Sequence, residues 1–148
     1  MNSSRNQSAH QLLEHQNFRE HLFKLTAIVA GGVMATHVAI VLQDHKVTIL
    51  AFLALAVVAI AYYVQTYRFR IVFRRVRHGS FLAHLSGYVI VVGSFYLHAG
   101  YLLASNQRDL IDANWYGLLF GMGLFWGLGL VTHAAGTFMT KGFEDVQI

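Results

Sequence analysis

Residues 81–100 read FLAHLSGYVIVVGSFYLHAG, an apolar run with one histidine near each end, His84 and His98. A helix of this length crosses the hydrocarbon core of a bilayer. The 14-residue separation of the two histidines corresponds on an α-helix to ~21 Å of rise and close to four whole turns, so both imidazoles are expected on one face at two depths. Ionisable groups inside a membrane span are costly and are read by default as functional candidates.

The rest of the chain is built to the same plan. Of 148 residues, 55% are hydrophobic and only 12% charged, and the mean hydropathy is +0.46. That is too apolar for an ordinary soluble domain. Four uncharged stretches are long enough to span, at residues 25–43, 47–67, 78–107 and 113–140. The expected fold is therefore all-α, an integral membrane four-helix bundle made of two transmembrane hairpins. Its divisions are an N-terminal segment at 1–20, a first hairpin at 21–67, a basic loop at 68–80, a second hairpin at 81–140 and a tail at 141–148. The surrounding lipid bilayer is the first partner. The formal charge of +4 does not point to nucleic acid, because the arginines cluster beside the spans.

Cysteine is absent, which excludes disulfides, thiolate metal sites and iron–sulfur clusters from this chain. Proline is absent as well, so the commonest cause of a sharp helix kink is missing. Leu12, Leu13, Phe18, Leu22 and Leu25 are spaced either for an amphipathic helix leading into the first span or for a solvated tail. The second span, 47–67, has neither histidine nor interior charge and reads as packing. Tyr62, Tyr63, Tyr96, Tyr101, Trp115 and Tyr116 fall toward span ends, where an interfacial aromatic belt is expected.

With four spans, both termini and the 68–80 loop share one side. That side carries nine basic residues (Arg5, Arg19, Lys24, Arg68, Arg70, Arg74, Arg75, Arg77 and Lys141) against two, Lys46 and Arg108, on the other. The positive-inside rule then puts both termini in the cytoplasm of a multi-pass cell-membrane protein. An internal duplication is also suggested. Phe-x-x-His-Leu occurs at Phe18–Leu22 and at Phe81–Leu85, and Gly32 and His37 correspond to Gly93 and His98 with a two-residue offset.

The second half, from about Arg74 to Asp145, resembles the 2TM domain family of small bacterial membrane hairpins. The residues that carry the resemblance are FLAHLSGYVIVV, Trp115-Tyr116 and FWGLGLVTHAAGTF. His84 and His133 fall on the family's recurring histidine positions, and Trp126, Gly127 and Gly129 on its glycine-rich signature. The resemblance implies a membrane hairpin and no particular activity.

The expected topology sorts the histidines into two layers, His84 and His133 (or His21) in the inner half and His37 with His98 in the outer half. This layering is similar to that of di-haem cytochrome b bundles. A neutral imidazole is a good axial ligand for haem iron, so His37, His98, His84 and His133 are the candidate ligands of haem b in an electron-transfer protein or subunit. A zinc site of His37, His45 and His98 is a further arrangement. The alternative is a non-catalytic membrane module or accessory subunit in which histidines serve helix packing. Span four, with Gly117/Gly121 and Gly123/Gly127 at four-residue spacing, offers a face for homo- or hetero-oligomers. No catalytic set stands out.

The topology predicts that, in single-cysteine variants in intact cells, an impermeant thiol reagent labels Asp44→Cys and Arg108→Cys from outside but not Arg74→Cys. The reverse pattern would overturn the orientation.

Overall fold

A computed structural model describes residues 2–139, with side chains from residue 12 onward. The expected tail at 141–148, Lys141 and the side chain of Arg5 lie outside the described residues. Among the described residues there are helices and no strands: α1 (Asn2–Val41), α2 (Ile49–Arg68), α3 (Arg70–Arg75), α4 (Gly79–Tyr88), a π turn (Val89–Gly93), α5 (Ser94–Ala104), a 3-10 turn (Arg108–Leu110) and α6 (Ala113–Met139). Four helical segments are long and apolar enough to cross a membrane: Leu12–Val41, Ile49–Arg68, Gly79–Ala104 and Ala113–Met139. They are called spans one to four below. Helices are the form such sequences take because each satisfies its own backbone hydrogen bonds.

The N-terminal apolar residues continue the first span. α1 runs unbroken through them, with Phe18 and Leu25 buried, Leu22 packed on the core, and Leu12 and Leu13 exposed.

The connections are short and tightly bonded. After α1 the chain turns through Asp44 and His45, both in the left-handed region at φ 53° and 60°, and the His45 N–H donates back to the Ile40 carbonyl at 2.9 Å. At the arginine-bearing connection, His78 is also left-handed, at φ 60°. The next residue can only be glycine, since a Cβ on Gly79 would lie 2.2 Å from the Phe73 carbonyl oxygen. α6 is capped by Asp112, whose Oδ1 accepts from the backbone N–H of Asn114 at 3.0 Å and of Trp115 at 3.1 Å.

Span three departs from the ideal helix that the histidine spacing assumes. The π turn at Val89–Gly93 lies between His84 and His98 and accommodates about one extra residue, turning everything after it by roughly 100°. The two imidazoles consequently do not share a face. His84 is aimed at span four, and His98 at span one and the 42–48 loop.

Packing follows from which helices meet. α1 pairs with α2, α4 with α6, and α1 lies against α4 and the π turn. Spans one and three thus form the central seam. In their most apolar windows 28% of residues are buried, against 17% in spans two and four. Val29, Val33 and Ile40 from α1 meet Val91, Val92, Phe95 and Leu102 from span three, with Trp115 and Leu118 of α6 closing one end. The outside is apolar too: Leu53, Val57, Leu97, Phe120, Leu124 and Phe125 are all more than half exposed. Water disfavours so much open apolar surface, and lipid tails match it.

Glycine spacing on span four does not mark the close approaches within the chain. A Cβ on Gly121 would meet nothing within 4 Å, and on Gly127 only Tyr88 at 3.9 Å. Gly87 of span three is the tight position, where a Cβ would stand 3.0 Å from both Trp126 Cζ3 and Tyr62 Cε2. Gly87→Leu should therefore overpack a buried aromatic contact and cost about 1–3 kcal/mol, read as a lowered unfolding midpoint in detergent. Gly121→Ala, whose Cβ meets nothing within 4 Å, should not lower the midpoint of the isolated chain.

Candidate functional site

The histidines assemble into two separate groups. At the arginine-bearing end, His84 of α4 and His133 of α6 lie ring on ring, with centroids 3.9 Å apart and planes inclined by 33°. Tyr62 of α2 meets His84 edge-on at 5.3 Å and Trp126 at 4.7 Å, so one aromatic cluster joins spans two, three and four. Gly129 makes room for it, since a Cβ there would come within 3.3 Å of His84 Cδ2. Of the two partners open to His84 in the sequence, the structure brings up His133. The His21 Nδ1 bonds the Asn17 carbonyl of its own helix at 2.8 Å, and its ring packs on Phe69 at 4.2 Å.

At the opposite end, His37 and His98 meet across the two hairpins, with Nδ1 to Nδ1 at 2.9 Å. The other nitrogen of each ring is used as well. His37 Nε2 lies 3.1 Å from Ser94 Oγ, and His98 Nε2 lies 3.0 Å from His45 Nδ1. Four side chains thus form a line, Ser94–His37–His98–His45, from the middle of the seam to the short loop. All four are partly buried.

The line is clamped by its surroundings. Phe95 lies over His37 with centroids 4.2 Å apart, and Trp115 stands against His98 at 5.1 Å. Both Phe95 and Trp115 have 0% exposure. The Trp115 indole N–H donates to the His45 carbonyl at 2.9 Å, and the Asn114 amide donates to the Val47 carbonyl at 3.1 Å, tying the first hairpin's loop to the start of span four. Trp115 and Tyr62 are therefore interior residues rather than members of an interfacial belt. Tyr63, Tyr96, Tyr101 and Tyr116 do face outward. The roles of Ser94 and Trp115 were hidden from sequence reading, since serine one turn from a histidine on the same helix has no distinctive pattern.

This arrangement bears on what could be held here. Two axial imidazole nitrogens on one iron stand about 4 Å apart at roughly 2 Å per bond, with a porphyrin plate between the rings. The His37 and His98 nitrogens are 2.9 Å apart and joined directly, and buried Phe95 and Trp115 occupy the flanks. As packed, these residues do not fit a haem. The His84 and His133 rings, 3.9 Å apart, leave no gap for a macrocycle either. Among the described residues no three His, Asp or Glu side chains converge on a metal position. For His37, His45 and His98 the reason is geometric, because His98 gives one nitrogen to each neighbour and the three rings lie in line instead of around a point.

A comparison with protein families matches the family described as 2TM domain over residues 69–147, more than half of the chain, and the chain belongs to that family. The match covers α3 to α6, with His84, Ser94, His98 and His133, and leaves span one with His37 outside it. Comparison with curated proteins and with solved structures gives no significant match.

The clamp yields a stability prediction. Trp115→Phe keeps an aromatic ring against His98 but removes the donor to the His45 carbonyl. It should cost about 1 kcal/mol for the hydrogen bond, and amide exchange at residues 43–46 should accelerate. Unchanged exchange there would show that the indole does not hold the loop.

Proposed function

We propose that this 2TM-family protein is a non-catalytic multi-pass membrane module, an accessory subunit or signalling hairpin pair, in which layers of histidine fasten one hairpin to the other. The observation that carries this reading is the direct imidazole–imidazole contact of His37 with His98 across the hairpins, at 2.9 Å. Buried in an apolar seam, each ring nitrogen would be costly without a partner, and each of these rings finds partners among neighbouring side chains. The nine-to-two distribution of basic residues supports a cell-membrane orientation with both termini cytoplasmic. The Phe-x-x-His-Leu repeat supports descent of the two hairpins from a duplication.

Assembly with other helices belongs to the same reading. Gly117 and Gly121 border a groove between spans two and four that is lined by Phe52, Ala56, Ala59 and Phe125. Among the described residues, a Cβ on either glycine would meet nothing within 4 Å. Small residues left open on an apolar helix face suit close approach by a helix of a second chain.

The competing reading is a b-type haem protein with His37/His98 and His84/His133 as ligand pairs. It is favoured by the pairing of imidazoles at two levels, and it requires both pairs to separate by about 1 Å or more and the flanking aromatics to move. The optical spectrum decides between them. Protein purified from haem-replete cells should be colourless, with no Soret band and no reduced-minus-oxidised α band. A Soret band that is halved by His98→Ala and abolished by the further change His84→Ala would overturn the packing reading.

A further inference from the structure

Ser94 sets the direction of the imidazole line. Its hydroxyl has one hydrogen and the Val91 carbonyl, 3.0 Å away, can only accept it; with the hydrogen assigned there, the oxygen accepts from His37 Nε2. His37 therefore carries its hydrogen on Nε2, and in the neutral ring Nδ1 is left as an acceptor. His98 must then donate from Nδ1 to His37 and accept at Nε2, and the donor to that Nε2 is the Nδ1–H of His45. One donor and one acceptor of every neutral ring are thereby assigned, and the lone pair of His45 Nε2 lies beyond the last contact in the line. All hydrogens point the same way, from the loop toward the seam.

We propose that His45, His98 and His37 form a proton-transfer chain, open at His45 Nε2 and closed at Ser94, which takes one proton from the water at the 42–48 loop and delivers it to His37 between spans one and three. The proposal rests on the cofactor-free reading of His37 and His98. A proton adds to His45 Nε2, and the hydrogen on His45 Nδ1 passes to His98 Nε2. The hydrogen on His98 Nδ1 then passes to His37 Nδ1. His45 and His98 end neutral in their other tautomers, and His37 ends as the imidazolium, donating to Ser94 from Nε2 and to His98 from Nδ1. One proton has entered and one positive charge has moved inward. The same heavy-atom contacts serve before and after, with no donor stranded. Phe95, its ring centroid 4.2 Å from that of His37, gives the cation an aromatic face.

Two further features of the fold serve this line. The carbonyl that fixes Ser94 belongs to the π turn, an irregularity frequent at functional sites. The ring that opens the line is aimed inward by a loop whose Asp44 and His45 both hold positive φ, a conformation uncommon outside glycine and, among other residues, commonest in Asn, Asp and His. The other ionisable groups at this end, among the described residues, are Asp44 and Lys46 on the loop, Tyr101 on α5, Arg108, Asp109 and Asp112 before α6, and Tyr116 in its first turn. All of these are exposed to solvent, and Asp112 is engaged in capping α6.

The test uses the full chain with ring-15N-labelled histidine in phosphatidylcholine nanodiscs. At alkaline pH the expected tautomers are Nε2–H for His37 and Nδ1–H for His98 and His45, with through-hydrogen-bond 15N–15N couplings linking His37 to His98 and His98 to His45. As the pH falls, His98 and His45 should switch to Nε2–H in the same transition that makes His37 an imidazolium. Titration of His45 alone, with His98 and His37 keeping their tautomers, would overturn the chain. His45→Asn supplies a second arm. Asparagine tolerates the positive φ and can donate to His98 but cannot pass a proton on, so exchange of the His37 ring proton with water should slow on the order of 10²-fold. Unchanged exchange would likewise reject the proposal. A Soret band in the same sample would overturn the cofactor-free reading beneath it, whereas a colourless sample with independently titrating rings overturns the chain alone.

Discussion

An imidazole placed in an apolar seam has two ring nitrogens to satisfy, and that requirement organises this bundle. A lone histidine could satisfy one nitrogen on its own helix, as His21 does with the Asn17 carbonyl. His37 and His98 instead satisfy both nitrogens through side chains brought from elsewhere, and doing so commits span one, span three and the 42–48 loop to one mutual position. The contacts of Trp115 and Asn114 with the loop carbonyls extend that commitment to span four. Because lipid supplies no hydrophobic drive between helices, close packing and such interhelical hydrogen bonds are what can hold the hairpins together.

The π turn makes this arrangement compatible with the second cluster. On an uninterrupted helix His84 and His98 would face the same neighbour. The extra residue at Val89–Gly93 rotates the second half of span three, so that one histidine serves the contact with span four and the other the contact with span one. The same irregularity places Ser94 where its hydroxyl bonds Val91 and faces His37. A single local change in helical pitch thus determines both which helices are joined and how the imidazole line ends.

The two ends of the bundle differ in chemistry as a result. The His84/His133 cluster is aromatic, ring against ring and backed by Tyr62 and Trp126. The line ending at His45 is linear and hydrogen-bonded, and draws two of its four members from the first hairpin. Stacking makes rigid packing. A line of neutral rings with one donor and one acceptor each can exchange its tautomers without moving its atoms.

Much of the architecture follows from the order of residues alone. Long uncharged stretches, the absence of proline and the five arginines between the hairpins dictate four apolar helices with short connections, because only helices satisfy an apolar chain's backbone without water. Local periodicity also marks His37, His98, His84 and His133 as the residues to watch, since a polar ring in such a stretch is costly. The partners those rings would choose were not legible. A π turn has no sequence signature in VIVVG, so the 14-residue spacing pointed to a shared face that the folded helix does not have. Nor was it legible that Gly87 is the glycine of close approach within the chain, because which glycine meets a neighbour depends on how the spans are rotated against one another. The nitrogens of His37 and His98 could be assigned to each other, to Ser94 and to His45 only once the tertiary fold had brought residues 53 to 61 positions apart in the chain within hydrogen-bonding distance.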